Sequence, residues 1–366
     1  MSSTKAKKLA LIASLAVLLA AGVLLGLHFS PRSGLSARQE LLQFVPSDAT
    51  SVIFLDLDQL RESPFLAKIY SWAPHPAEDS EYAQFVRDTG FSFERDLKRA
   101  LIAISNHDRT TNVVTVADGE FDRKKIESFL NRNAQAAQQG KWKVYLLNQN
   151  AGGRSLSLVF LSDSRIAIGD SDQFPALLSP PPSHAFRAEW NERFERLAGT
   201  PLFAVIRQDP ALETALDSAA PGGFRSPQLS ALLGQLQWIS IAGRPEGDLL
   251  RLVSEGECQS EPAASQLRDF LQGMLLLAQN GLNDSKLRRE MNQEERQAYL
   301  EILKSADVQK LDRGQWKSVR LVLAITPRFL DIARMRPLAR PGEQTTLQEA
   351  PREKDPNRKS KTQTKK

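Results

Sequence analysis

The side chains that could transfer protons or hold a metal are few and scattered. Four histidines, His28, His75, His107 and His184, lie far apart, and none pairs with another at ligand spacing. Cys258 is the one cysteine, so an intrachain disulfide and a Cys-based zinc cluster are both excluded. It reads as a small buried apolar residue. Asp56 and Asp58 bracket the end of an apolar run and look like a carboxylate pair. Two apart in a strand they would share a face, but Asp58 reads as the cap of the following helix rather than as a strand residue. There is no Gly-x-Ser-x-Gly, phosphate-loop Gly-Lys-Ser/Thr, His-Glu-x-x-His or Gly-x-Gly-x-x-Gly. These residues predict no catalytic, cofactor-binding or metal site, and no cofactor.

The sharpest hint of chemistry is Gly169, Asp170 and Ser171, which follow a strand-like run. With Gly281, Leu282, Asn283 and Asp284, they resemble the Gly-Asp-Ser and Gly-x-Asn-Asp blocks of SGNH-type esterases. The resemblance implies that Ser171 attacks, that Gly169 and Asn283 serve the oxyanion, and that a late histidine takes the serine's proton. No histidine follows His184, so the base is missing. The other reading is a strand-end turn whose hydroxyl caps the next helix.

The elements around these residues alternate short strands with amphipathic helices. Residues 51–57, 101–105, 113–117, 141–147, 155–161 and 165–168 read as strands, and helices are predicted after Asp58, with a new turn at Pro64, and from Asp122 to a stop at Gly140. Pro180, Pro181 and Pro182 mark a boundary. Beyond them come helices over 186–197, 210–216, 263–282 and 294–304, a strand over 202–206, a hairpin of 236–242 with 249–255, and a last strand over 319–325. The fold class is α+β: two similar, mostly antiparallel sheets backed by helices, over 43–180 and 185–335. The order of elements suggests an internal duplication. Asp118, Gly119, Glu120 and Phe121 match Glu255, Gly256, Glu257 and Cys258; Arg154, Ser155, Leu158 and Val159 match Lys317, Ser318, Leu321 and Val322.

Residues 1–30 form a short basic stub and a membrane anchor, because Leu9 to Phe29 carries no Lys, Arg, Asp or Glu. As a helix it spans about 31 Å, a hydrocarbon core's thickness. Lys5, Lys7 and Lys8 precede it and hold the N-terminus in the cytoplasm, which sends the rest across the inner membrane. A cleaved signal peptide is the alternative, with Ala20, Ala21 and Gly22 near the cut. From Arg336 onward nine basic residues oppose four acidic ones, and 337–366 reads as a disordered basic tail. The net charge of +5 therefore belongs to the two ends, and the part between is slightly acidic, which argues against nucleic acid as a partner.

The anchor, then Val45, Pro46, Ser47, Asp48, Ala49, then Phe54, Leu55, Asp56, Leu57 and Ser63, Pro64, Phe65, resembles a group of bacterial envelope proteins with no assigned activity. That resemblance covers about residues 9–200 and implies an extracytoplasmic α+β domain. The expected function is a membrane-anchored binding or scaffold protein of the cell envelope, not an enzyme. Its expected partners are membrane lipid through the anchor, and another envelope protein or an anionic envelope polymer. The alternative is an envelope hydrolase of unrecognised type.

Overall fold

Alternation of apolar and polar residues builds one sheet out of both predicted units. In this computed structural model, the structure describes residues 35–70, 80–107, 110–147, 155–170, 184–208, 231–232, 234–284 and 291–335. The predicted anchor, the proline boundary and the basic tail lie outside them. Among the described residues, no helix is long and apolar enough to cross a membrane.

The first half contains α1 (Leu35–Leu42), β1 (Ser51–Asp56), α2 (Leu57–Arg61), α3 (Pro64–Tyr70), α4 (Ser80–Thr89) and α5 (Phe93–Asp96). The hairpin β2 (Leu97–His107) and β3 (Thr110–Gly119) follows, then α6 (Arg123–Asn133) and β4 (Gln135–Gln139), β5 (Trp142–Leu147), β6 (Leu156–Ser162) and β7 (Arg165–Asp170). The second half contains α7 (His184–Arg196), β8 (Leu202–Arg207), the hairpin β9 (Leu236–Glu246) and β10 (Leu249–Cys258), α8 (Glu261–Gly281), α9 (Gln293–Ser305), β11 (Asp307–Arg313), β12 (Trp316–Ile325) and α10 (Pro327–Met335). Among the described residues, all twelve strands join one sheet in the order β11-β12-β10-β9-β8-β1-β2-β3-β7-β6-β5-β4, and every pairing is antiparallel.

The seam between the halves is the β1–β8 pair, where Phe54 sits opposite Phe203 with ring centroids 5.1 Å apart. On this face α1 and α7 cover the main core, which includes Leu41, Val52, Leu101, Val116, Trp190, Phe194 and Trp238. Arg38 of α1 ties the two helices together. Its guanidinium donates to Phe194 O and to Leu197 O (3.1 Å) and lies 4.4 Å from the Phe203 ring centroid. Burial lowers its pKa to about 10, against the opposing pull of Asp56. On the other face, α2, α4 and α5 pack over the first half and α8 over the second.

The pairing registers run in step on the two sides of the seam. Counting outward from Phe54 and Phe203, Asp118 of β3 and Glu255 of β10 occupy corresponding positions, as do Gly119 and Gly256, and Arg165 of β7 and Arg320 of β12. Asp118 faces Arg165 directly, and Glu255 faces Arg320. Of the expected match of residues 118–121 to 255–258, Asp118 and Gly119 fall at the register positions of Glu255 and Gly256, while Glu120 and Phe121 lie beyond β3. The registers correct the second match: β12 corresponds to β7, so Leu321 and Leu323 answer Ile166 and Ile168, not Leu158 and Val159 of β6.

Other expectations change too. The helix expected to run to Gly140 stops at Asn133, and Gln135–Gln139 turns back as a strand whose hairpin uses Gly140 at φ 58°. Helix α2 is capped by Asp56, not Asp58: the Asp56 carboxylate accepts from Gln59 N at 3.1 Å.

Candidate functional site

The structure separates the esterase-like blocks. Gly169 is not beyond a strand but inside β7, where an added Cβ would come within 2.8 Å of Val113 O. The glycine is there because two strands approach closely. The buried Asp170 carboxylate accepts from Val113 N at 3.0 Å. Asn283 lies just past the end of α8, and its side chain donates back to Gln279 O at 3.1 Å. Helix α8 packs over β10 to β12, and β7 lies six strand positions from β10 in the sheet. At about 4.8 Å per strand that is roughly 29 Å. Gly169 and Asn283 do not meet. Ser171 lies outside the described residues, as do His28 and His75; His184 opens α7.

The remaining candidates have structural partners. Asp56 is buried and its Oδ2 accepts from Arg99 Nε at 3.3 Å. Asp58 lies in α2, 2.9 Å from Arg61. Burial raises the Asp58 pKa, with Arg61 opposing. Cys258 is buried in the α8 core, and burial pushes its thiol up to about 11. Among the described residues, no group of His, Cys, Asp or Glu is arranged to hold a metal.

What the sequence did not reveal is an apolar strip across the seam, on the face opposite α1 and α7. Two cross-strand rows make it. One runs Ile102, Ile53, Ala204, Ile241; the other runs Val113, Ile104, Ser51, Ile206, Ile239. Ile53 and Ile102 lean on the α2–α5 cluster, and Ile239 leans on the α8 cluster. Between them, Ile104, Val113, Ala204, Ile206 and Ile241 join none of the five apolar clusters. Val113 is 37% exposed and Ile241 38%, high for large apolar residues in a sheet. One end of the strip is bridged, because α3 crosses the seam: Phe65 packs on Leu250 and Leu330, and Lys68 meets Asp331 at 2.8 Å. The product is a half-covered, mostly apolar floor between two groups of helices, which suits an apolar ligand.

A second constellation lies on the α7 face of the other half. Glu255 accepts from Arg196 Nη1 (3.2 Å), Arg313 Nε (2.9 Å) and Nη2 (3.1 Å), and Arg320 Nη2 (3.1 Å). Glu257 accepts from Arg193 Nη2 at 2.5 Å and from Arg196 Nη2. Arg193 and Glu257 are each 1% exposed, and the Arg193 guanidinium carbon is 3.9 Å from the Trp238 ring centroid. Burial would raise the Glu255 pKa, but the hydrogen bonds and charges of Arg313 and Arg320 outweigh it and hold it below the usual glutamate range.

These features define a class by architecture: a mixed α+β protein built on a single twelve-stranded antiparallel sheet. Three solved structures of the protein TP0453, in crystal forms III, IV and I, are similar to it. The matches cover 81, 80 and 80% of this chain and 98, 95 and 96% of theirs, at 10, 9 and 10% identity and TM-scores of 0.39, 0.40 and 0.41. No protein-family profile matches the chain, and no curated protein matches it.

Proposed function

We propose that the chain is a membrane-tethered, extracytoplasmic binding or scaffold module of the bacterial envelope that takes an apolar segment of another envelope protein on the seam of its sheet. The observation that carries the binding role is the half-covered strip of Ile241, Ile206, Ile104 and Val113, exposed at Ile241 and Val113 and walled by helices on either side. An apolar surface of this kind in a folded protein usually marks an interaction site. The tether rests on the charge-free run from Leu9 to Phe29 behind three lysines. The stepwise agreement of the registers about Phe54 and Phe203 supports a duplicated origin for the two halves. An experimental structure whose halves fail to overlay in that register would remove the duplication.

The binding role is tested with a hydrophobic fluorophore such as anilinonaphthalene sulfonate. The folded chain should enhance its emission, and Ile241→Glu, which keeps the fold because its side chain is already partly in water, should abolish most of that enhancement. Equal enhancement by the folded variant would remove the strip as a binding surface. The tether is tested by fusing a periplasm-active phosphatase after residue 335. Activity is expected; a silent phosphatase with an active cytoplasmic reporter would overturn the orientation.

A further inference from the structure

We propose that the arginine cluster of α7, β11 and β12 is a binding site for a divalent tetrahedral oxyanion of the phosphate class. Four guanidiniums, Arg193, Arg196, Arg313 and Arg320, converge on two carboxylates, Glu255 and Glu257. The local balance is two positive charges in excess, with Arg193 and Glu257 withdrawn from water and the other arginines partly so. Like charges gathered at reduced dielectric repel, and an anion of matching charge relieves that repulsion.

The donors tell the same story. Both oxygens of each carboxylate already accept guanidinium hydrogen bonds. Yet Arg193 Nε, Arg196 Nε, Trp316 Nε1 and Ser318 Oγ are buried without any partner. Ser318 is fully buried and Arg193 is 1% exposed, so these groups cannot turn to bulk water. They belong to one surface. Trp316, Ser318 and Arg320 alternate along β12 and share a face, Ser318 is the register partner of Glu257, and Trp316 is the register partner of Arg313. Buried donors without acceptors are rare in native proteins and point to an unseen acceptor. Arg313 and Arg320, 28% and 34% exposed, give access from solvent. Arginine forks suit the geometry of phosphate oxygens.

The corresponding place in the first half supplies a control. There Arg165 meets Asp118 at 2.6 Å and Glu40 at 3.1 Å, and Arg99, the register partner of Asp118, meets Asp56 at 3.3 Å, so three acids face two arginines. The positive excess belongs to the second half alone and is not a consequence of the architecture.

Binding is measured on the purified full-length chain by calorimetry and thermal unfolding, with inorganic phosphate, sulfate and glycerol 3-phosphate, against chloride at equal ionic strength. Phosphate and sulfate should bind and raise the melting temperature where chloride does not. Arg320→Gln should weaken phosphate by on the order of tenfold or more, the loss expected for one charge-assisted contact. Ser318→Ala, which removes a hydroxyl without charge, should weaken it less while the fold stays intact by circular dichroism. Glycerol 3-phosphate binding as tightly as phosphate would assign the site to esterified headgroups; phosphate binding alone would assign it to the free ion. An identical response to chloride and phosphate, or unchanged phosphate affinity in both folded variants, would overturn the site.

Discussion

At the residue scale, the buried carboxylates of this protein are held by arginine partners, and removing one of them is costly. Glu255 shows it. Its folded pKa lies below the ordinary glutamate value, so its contribution to stability is complete above about pH 4.3 and is lost as pH falls toward the folded value. Urea midpoints measured from pH 7 down to pH 3.5 should decline through that window. Glu255→Gln should lower stability at neutral pH by about 3 kcal/mol, because three arginines lose their shared carboxylate, and should flatten the acid decline. A Glu255→Gln protein as stable as the parent at pH 7 would refute this account. Cys258 makes the opposite case. Its thiol is buried and its pKa is raised to about 11, so maleimide at pH 7 should label it only as fast as the protein unfolds. None of this partnership was legible in the sequence. Arg193, Arg196, Arg313 and Arg320 lie on three elements more than a hundred residues apart end to end, and no local spacing connects them to Glu255.

At the element scale, the sequence was readable where one periodicity dominated and opaque where tertiary pairing overrode local preference. The β9–β10 hairpin was legible from its alternation and from the turn glycine Gly247, at φ 64°. Helix α8 was legible from Leu267 and Leu271 at helical spacing, and α6 from its Asp122 cap, which accepts from Lys125 N at 3.1 Å. Strand β4 was not, because Gln135–Gln139 favours helix by composition and becomes a strand only through pairing with β5. Strand β11 was missed for another reason: Asp307–Arg313 is a charged edge strand with no apolar run, the form that discourages further pairing. Gly140 is the residue that lets β4 form. An added Cβ there meets nothing within 4 Å, so a substitution costs only backbone strain at φ 58°. Gly140→Ala should therefore destabilise by about 1 kcal/mol, and Gly140→Asn by less. Both are read from denaturant midpoints. A larger loss for Asn than for Ala would show that the turn is not what the glycine serves.

At the scale of the whole molecule, the two sheets expected over 43–180 and 185–335 are one continuous sheet among the described residues. Each half was legible as α+β because hairpins and helices alternate locally. Their union was not, since β1 and β8 are about 150 residues apart and only their register brings Phe54 to Phe203. That pairing turns two sheets into one and leaves the apolar strip, the proposed binding surface, straddling the join. The seam is therefore where stability and the proposed binding surface coincide. Severed at 171–183, each half would present β1 or β8 as an open edge, and the α7 contacts to Phe203 and Trp238 would be divided from α1 and Phe54. Phe54→Ala should cost about 3–5 kcal/mol, as for other fully buried rings, and the two halves should unfold together in a single transition. Differential scanning calorimetry of the full chain reads both. Two resolved transitions, with Phe54→Ala shifting only one of them, would show that the halves are independent domains that touch rather than one cooperative sheet.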